Sequence, residues 1–241
     1  MPSEKVIVYD DSCPMCRLYT YGFVVWGLIT PENRVGFATA SPELTANIDL
    51  NRGRHEIPLF DRATGETIYG LKAMTHLLAS RWRWLSPIFD SRMFWWIFHP
   101  AYEIITYNRR VIAGCKHCSG FDCAPDLNRF YRSVYLVIAC SFVSLIAVLL
   151  SINSTTFTTV GLGILGAMSV YGLIALSLQR ATSGSLAGWN FAGNYITTMM
   201  IVSLTISLGL MTGTAMTDLV QWTVLGTASL LGITEIKRRD L

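Results

Sequence analysis

The chain has 241 residues, a formal net charge of +3, and 51% apolar side chains against 15% charged ones. So small a positive excess gives no argument for nucleic-acid binding, and so apolar a composition excludes a disordered, solvating chain. Between Ser133 and Glu235 only Arg180 and Asp218 belong to the Asp/Glu/Lys/Arg set, which divides the chain into a mixed-charge domain over residues 1–128 and an apolar one over 129–241.

The run Val6-Ile7-Val8-Tyr9 predicts a strand, and the apolar residues from Leu18-Tyr19 onward predict a helix. Cys13-Pro14-Met15-Cys16 falls at the turn between them, the arrangement of a dithiol/disulfide active site. The opening residues show no secretion signal, so the thiols are expected to meet a reducing cytosol, where a Cys pair is more often catalytic or metal-binding than structural. A Cys at a helix N-terminus faces unpaired backbone N–H groups and the positive end of the helix dipole, which favour thiolate. Pro14 suits the first helical turn and Arg17 adds a nearby cation. Cys13 is therefore expected as the exposed attacking thiolate and Cys16 as the resolving thiol. Asp10 and Asp11 lie just upstream; one of them either takes the proton of Cys16 or caps the helix.

His55 to Phe60, Asp61 to Glu66 and Thr67-Ile68-Tyr69 read as strand, tight turn and strand, with Pro58 opening the first strand. Gly70 to Ser80 reads as a helix with Leu71, Met74, Leu77 and Leu78 on one face, and His55 and His76 read as surface or packing residues. Residues 81–98 interleave Trp82, Trp84, Phe89, Phe94, Trp95, Trp96 and Phe98 with Arg81, Arg83 and Arg92. That composition suits a membrane–water interface, and its apolar run is too short to cross a bilayer. Cys115-Lys116-His117-Cys118 and Cys123 form a second thiol cluster. Two uses stay open for it: zinc or another soft metal held by Cys115, Cys118, Cys123 and His117, or thiol exchange with Cys13 and Cys16.

Four apolar segments, 131–152, 157–178, 191–212 and 216–235, are long enough to cross a hydrocarbon core, which takes ~20 residues of helix. Arg129, Arg132, Arg180, Lys237, Arg238 and Arg239 then fall on one face, which predicts both termini and the dithiol domain on the cytoplasmic side of the inner membrane. Gly161, Gly163, Gly166 and Gly172 allow close helix approach, Asn190, Asn194, Thr197 and Thr198 are candidates for bonds between helices, and Cys140 reads as a buried packing thiol.

Tyr9-Asp10-Asp11-Ser12-Cys13-Pro14-Met15-Cys16 resembles the signature of the DCC family of thiol-disulfide oxidoreductases, a thioredoxin-like group. Tyr69-Gly70-Leu71-Lys72-Ala73 and the stretch from Tyr102 through Asn108-Arg109 to the Cys-bearing tail are also similar to that family, over about residues 4–123. Asp11 stands where the family usually has Gly, which sets an extra negative charge beside the thiols. The resemblance implies an α/β thioredoxin-like domain, here followed by an all-α bundle of four transmembrane helices. It also makes Pro58 the candidate for the cis-proline that packs beside the dithiol in thioredoxin-like folds. The expected function is a membrane-anchored thiol-disulfide oxidoreductase acting on protein thiols or disulfides, with no required cofactor and no nucleic-acid partner. Two alternatives remain: binding or transfer of a zinc-, copper- or mercury-type ion, and an accessory subunit of a larger membrane complex.

Overall fold

Alternation along β1 (Lys5–Tyr9) builds the first core: Ile7 packs on one face of the sheet, Val6 and Val8 on the other, and all three are wholly buried. The protein is seen in a computed structural model that describes residues 4–114, 125–152, 156–212 and 218–239. It divides into two units, Met1–Tyr131 and Arg132–Leu241.

In the first unit β1 is followed by α1 (Pro14–Val25), β2 (Arg34–Gly36), α2 (Pro42–Ala46), α3 (Leu50–Gly53), β3 (Pro58–Asp61), β4 (Thr67–Tyr69), α4 (Gly70–Arg81), α5 (Ser86–Phe89) and α6 (Arg92–Ala113). The sheet order is β2-β1-β3-β4, with β1 parallel to β2 and antiparallel to β3, and β3 antiparallel to β4. Ile7 pairs with Leu59, so Pro58 sits at the same end of the sheet as the turn from β1 to α1. Phe23 of α1 and Ala73 and Leu77 of α4 cover the Ile7 face, while Phe37, Leu44 and Ile48 cover the other. The expected turn between β3 and β4 forms: Asp61 N donates to Glu66 O at 2.9 Å, and Gly65 takes the left-handed φ of 72° that a side chain would strain.

The second unit holds α8 (Thr156–Thr212), α9 (Asp218–Arg238) and all but the first turn of α7 (Arg129–Ile152). Three helical stretches among the described residues are long and apolar enough to cross a membrane: Arg129–Ile152, Thr159–Arg180 and Gly184–Leu208. The polar stretch from Gln179 to Asn190, expected as a loop, is helical apart from a break at Gly184, where φ 82° and ψ −178° are open to glycine alone. The third stretch therefore starts at Gly184, not at residue 191.

The thioredoxin-like class and the four-helix membrane bundle are both corrected here. Helix dominates the described residues, and the sheet consists of four strands of three to five residues. Its outer strand β2 is three residues long because 3₁₀ turns at Pro31–Asn33 and Phe37–Thr39 close on it from both sides, and the unit shows no clear thioredoxin fold. Among the described residues three helical stretches, not four, are long and apolar enough for a span. Among the described residues the apolar part of the fourth, α9, is Leu225–Ile236, fewer than the ~20 residues a span takes.

Small residues set the approach of the apolar helices. Gly161 lies against Ile206, Gly172 against the Tyr195 ring and Gly232 against Val202, whereas Gly163 and Gly166 face open space. Tyr135 Oη and Thr197 Oγ1 bond at 2.5 Å between α7 and α8, and Thr198 bonds back to Asn194 O within its own helix. Cys140 is exposed on α7 instead of packed inside. In a helix that meets lipid, an exposed thiol is an ordinary apolar surface group.

Candidate dithiol site

Asp10 prepares the start of α1. Its Oδ1 accepts from Ser12 N at 3.1 Å and Ser12 Oγ at 2.5 Å, and its carbonyl accepts from Cys13 N at 3.3 Å. This tight turn delivers Cys13 as the N-cap in extended conformation, and Pro14 follows as the first helical residue. Cys13 makes no side-chain cap bond. One turn on, Thr20 Oγ1 donates to the carbonyl of Cys16 at 2.6 Å.

Both cysteines are free thiols, and both are buried, Cys13 at 0% exposure and Cys16 at 2%. The expected exposed Cys13 is thus corrected. A small apolar thiol at the junction of β1 and α1 is drawn into the core beside the sheet end. The cation of the site is also different from the one expected. Arg17 is exposed, whereas Arg109, ninety-two residues further on from it in α6, is buried and directs Nη2 to within 3.5 Å of Asp10 Oδ2. The same nitrogen donates to Arg54 O at 2.9 Å. Burial works against the guanidinium charge, but Cys16, Asp10, Tyr19 and Cys13 together hold its pKa above the ordinary value.

A hydrogen bond with Cys13 and then burial push the Cys16 pKa well above the ordinary thiol value; Arg109 and a hydrogen bond from Tyr19 pull it back only in part. The Cys16 thiol therefore holds its proton at neutral pH. Burial, followed by the charge of Cys16, raises the Tyr19 phenol, which stays a donor. Tyr102 of α6 closes the group, with its hydroxyl bonded to Thr106 and to the backbone of Ile57.

Burial pushes Tyr102 up to about 12. A raised folded-state pKa contributes stability that is complete below the unfolded value near 10 and is lost as pH rises through the folded value. Denaturant unfolding of the full chain in detergent should lose about 2–3 kcal/mol between about pH 10 and about pH 12 from this group. Tyr102→Phe should remove that part of the slope; an identical slope in the variant would exclude the assignment.

The remaining nominated residues disperse. Asp11 turns toward β2, its carboxylate packed over Gly36 so closely that a Cβ there would meet Oδ2 at 2.8 Å. Pro58 opens β3 and is buried, but its peptide bond is trans, which corrects the cis expectation. Pro58 is already in the ladder, paired with Tyr69 of β4, and Leu59 next to it pairs with Ile7 of β1. His55 stacks near Tyr107 and faces Asp126 at 3.4 Å, while His76 contacts Lys5 Nζ on the surface. Cys115, His117, Cys118 and Cys123 lie outside the described residues, and among those described no group of three or more His, Cys, Asp or Glu side chains could hold a metal ion. Sequence reasoning missed Arg109, Tyr19 and Tyr102 as members of the site. The sequence signal for Tyr102 and Arg109 was the resemblance of the stretch from Tyr102 through Asn108-Arg109 to the DCC family, which named them without a role. No protein-family model matches this chain, and neither does any curated protein or solved structure at a meaningful level of similarity.

Proposed function

We propose that the chain is a membrane-anchored thiol-disulfide oxidoreductase whose dithiol unit faces the cytoplasm. The observation that carries this reading is the pair of thiols at the start of α1, hydrogen-bonded to each other beside the buried Asp10–Arg109 ion pair. The likeness of residues 9–16 to the DCC signature supports the same chemistry.

In the reductive direction Cys13 attacks as thiolate. Its sulfur bonds to one sulfur of a substrate disulfide, and the other substrate sulfur leaves as a thiolate. Cys16 then loses its proton to solvent and attacks Cys13 Sγ, forming the Cys13–Cys16 disulfide and releasing the second substrate sulfur. The substrate gains two electrons and the protein loses two; an external dithiol restores the reduced pair. Arg109 stabilises negative charge on the sulfurs, and Asp10 holds Arg109 in place. Because both sulfurs are buried, the start of α1 must open before a disulfide reaches them.

The cytoplasmic assignment is supported by the basic residues of the second unit. Arg132 Nη1 donates to Trp189 O at 3.2 Å, Arg239 Nη1 donates to Asn194 Oδ1 at 3.2 Å, and the Arg180 stem packs against Gly188. Three arginines thus gather at the end of the unit where α7 begins, as the positive-inside rule requires of the cytoplasmic end.

The test uses the full chain in detergent with insulin as the disulfide and dithiothreitol as the dithiol. Cys13→Ser should abolish acceleration over dithiothreitol alone, and Cys16→Ser should accumulate a mixed disulfide. Unchanged reduction in both variants would overturn the proposal.

A further inference from the structure

We propose that residues 81–98, with the end of α1, form a surface that docks on the anionic headgroup layer of a lipid bilayer. This inference is independent of the thiol chemistry. The first half of α6 projects from the unit, and its large apolar side chains face outward: Met93 is 71% exposed, Trp96 79% and Phe98 50%. Trp84 and Ile88, at 68% and 47%, are exposed in the same segment, and Trp26, the residue that follows α1, makes an edge contact with Trp82. An apolar face of this size is rare on a surface that meets only water.

The face is built to stay in place. Phe94 stacks on Phe98 with ring centroids 4.6 Å apart, Phe89 meets Phe94 edge-on at 5.1 Å, and Trp95 Nε1 donates to Phe89 O at 2.7 Å. These contacts tie the side chains of the face to one another, so their exposure is not the result of a frayed helix.

Charge decides the occupant. Residues 81–98 carry Arg81, Arg83 and Arg92 against the single acid Asp90, a local charge of +2, and all four are exposed. Aromatic rings interleaved with arginine match the headgroup level of an anionic leaflet, where rings sit among the glycerol groups and guanidinium groups bind phosphate. The same chain carries three helices able to cross a membrane, so a bilayer is the apolar phase this unit meets at the highest effective concentration.

The test reconstitutes the full chain in vesicles of equal parts phosphatidylcholine and phosphatidylglycerol, doped with a phosphatidylglycerol that carries a diazirine near its headgroup. After illumination, photolabel should map to peptides covering 81–98 as well as to the three apolar helices. Trp84→Glu with Trp96→Glu, both at exposed positions, should reduce label on 81–98 by about fivefold or more while the helices keep theirs. Vesicles of phosphatidylcholine with a diazirine phosphatidylcholine should show a similar drop. Label confined to the three helices in the wild-type chain would overturn the proposal. So would label on 81–98 that ignores both the substitutions and the lipid charge, or cross-linking of 81–98 to a second copy of the chain in place of lipid.

Discussion

Replacing Arg109 with Leu should cost the first unit about 3–5 kcal/mol and slow disulfide reduction at neutral pH by about tenfold or more. The stability loss arises because Asp10 stays behind. Its side chain is 9% exposed, its Oδ2 faces Arg109 at 3.5 Å, and its Oδ1 is committed to Ser12. A buried carboxylate stripped of its partner carries a desolvation cost that the bonds from Ser12 offset only in part. The rate loss has a separate origin. Arg109 lowers the cost of charge on Cys16 and is itself held charged by both thiols, so its removal disfavours the thiolate from which attack begins. Two measurements separate these effects. Urea unfolding should show that Asp10→Asn in the Arg109→Leu background recovers part of the lost stability, since the unpaired charge is gone. Ultraviolet thiolate absorbance should show the first proton of the Cys13–Cys16 pair leaving at higher pH in Arg109→Leu, by about one unit or more, and Arg109→Lys should restore much of that shift. A wild-type thiolate titration in Arg109→Leu would remove Arg109 from the chemistry and leave it a packing role only.

Gly172→Ala should destabilise the second unit by about 1–3 kcal/mol, while Gly163→Ala and Gly166→Ala should be neutral or slightly stabilising. All three glycines lie in the same stretch of α8, so intrinsic helix propensity favours alanine equally at each. They differ in what a methyl group would meet. At Gly163 and Gly166 there is open space, but at Gly172 the Cβ would fall inside the van der Waals envelope of the Tyr195 ring. That ring has little freedom to retreat, because it stacks on Phe191 at 5.6 Å with planes 9° apart and its hydroxyl donates to Met168 O. Thermal unfolding of the full chain in detergent checks the ranking. Tyr195→Leu combined with Gly172→Ala should cost less than the sum of the two single changes. Equal effects at positions 163, 166 and 172 would mean that Gly172 is not a point of close helix approach.

Local patterns in the sequence carry several elements unaided. The continuous apolar run Val6-Ile7-Val8-Tyr9 marks β1, Asp61 to Glu66 marks the turn between β3 and β4, and the apolar spacing of Met74, Leu77 and Leu78 marks α4. The dithiol at the start of α1 was equally legible, since strand, turn and helix follow within a dozen residues. Nothing local marked β2, whose pairing with β1 joins residues about twenty-seven apart. The break at Gly184 was hidden for a related reason. Polar residues from Gln179 to Asn190 look like a loop, yet most of them form helix once neighbouring apolar stretches pack, and only glycine reaches the break conformation.

Sequence by itself determined the division into a mixed-charge unit and an apolar one, the presence of helices fit to cross a membrane, and the position of Cys13 and Cys16 at a helix start. Those properties depend on composition and on spacings within a few residues. Tertiary structure alone decided how the thiols are surrounded. It buried both sulfurs, passed over the adjacent Arg17, and brought in Arg109 and Tyr102 from α6. Electrostatic environment depends on distance in space and on exclusion of water, and neither quantity can be counted along a chain.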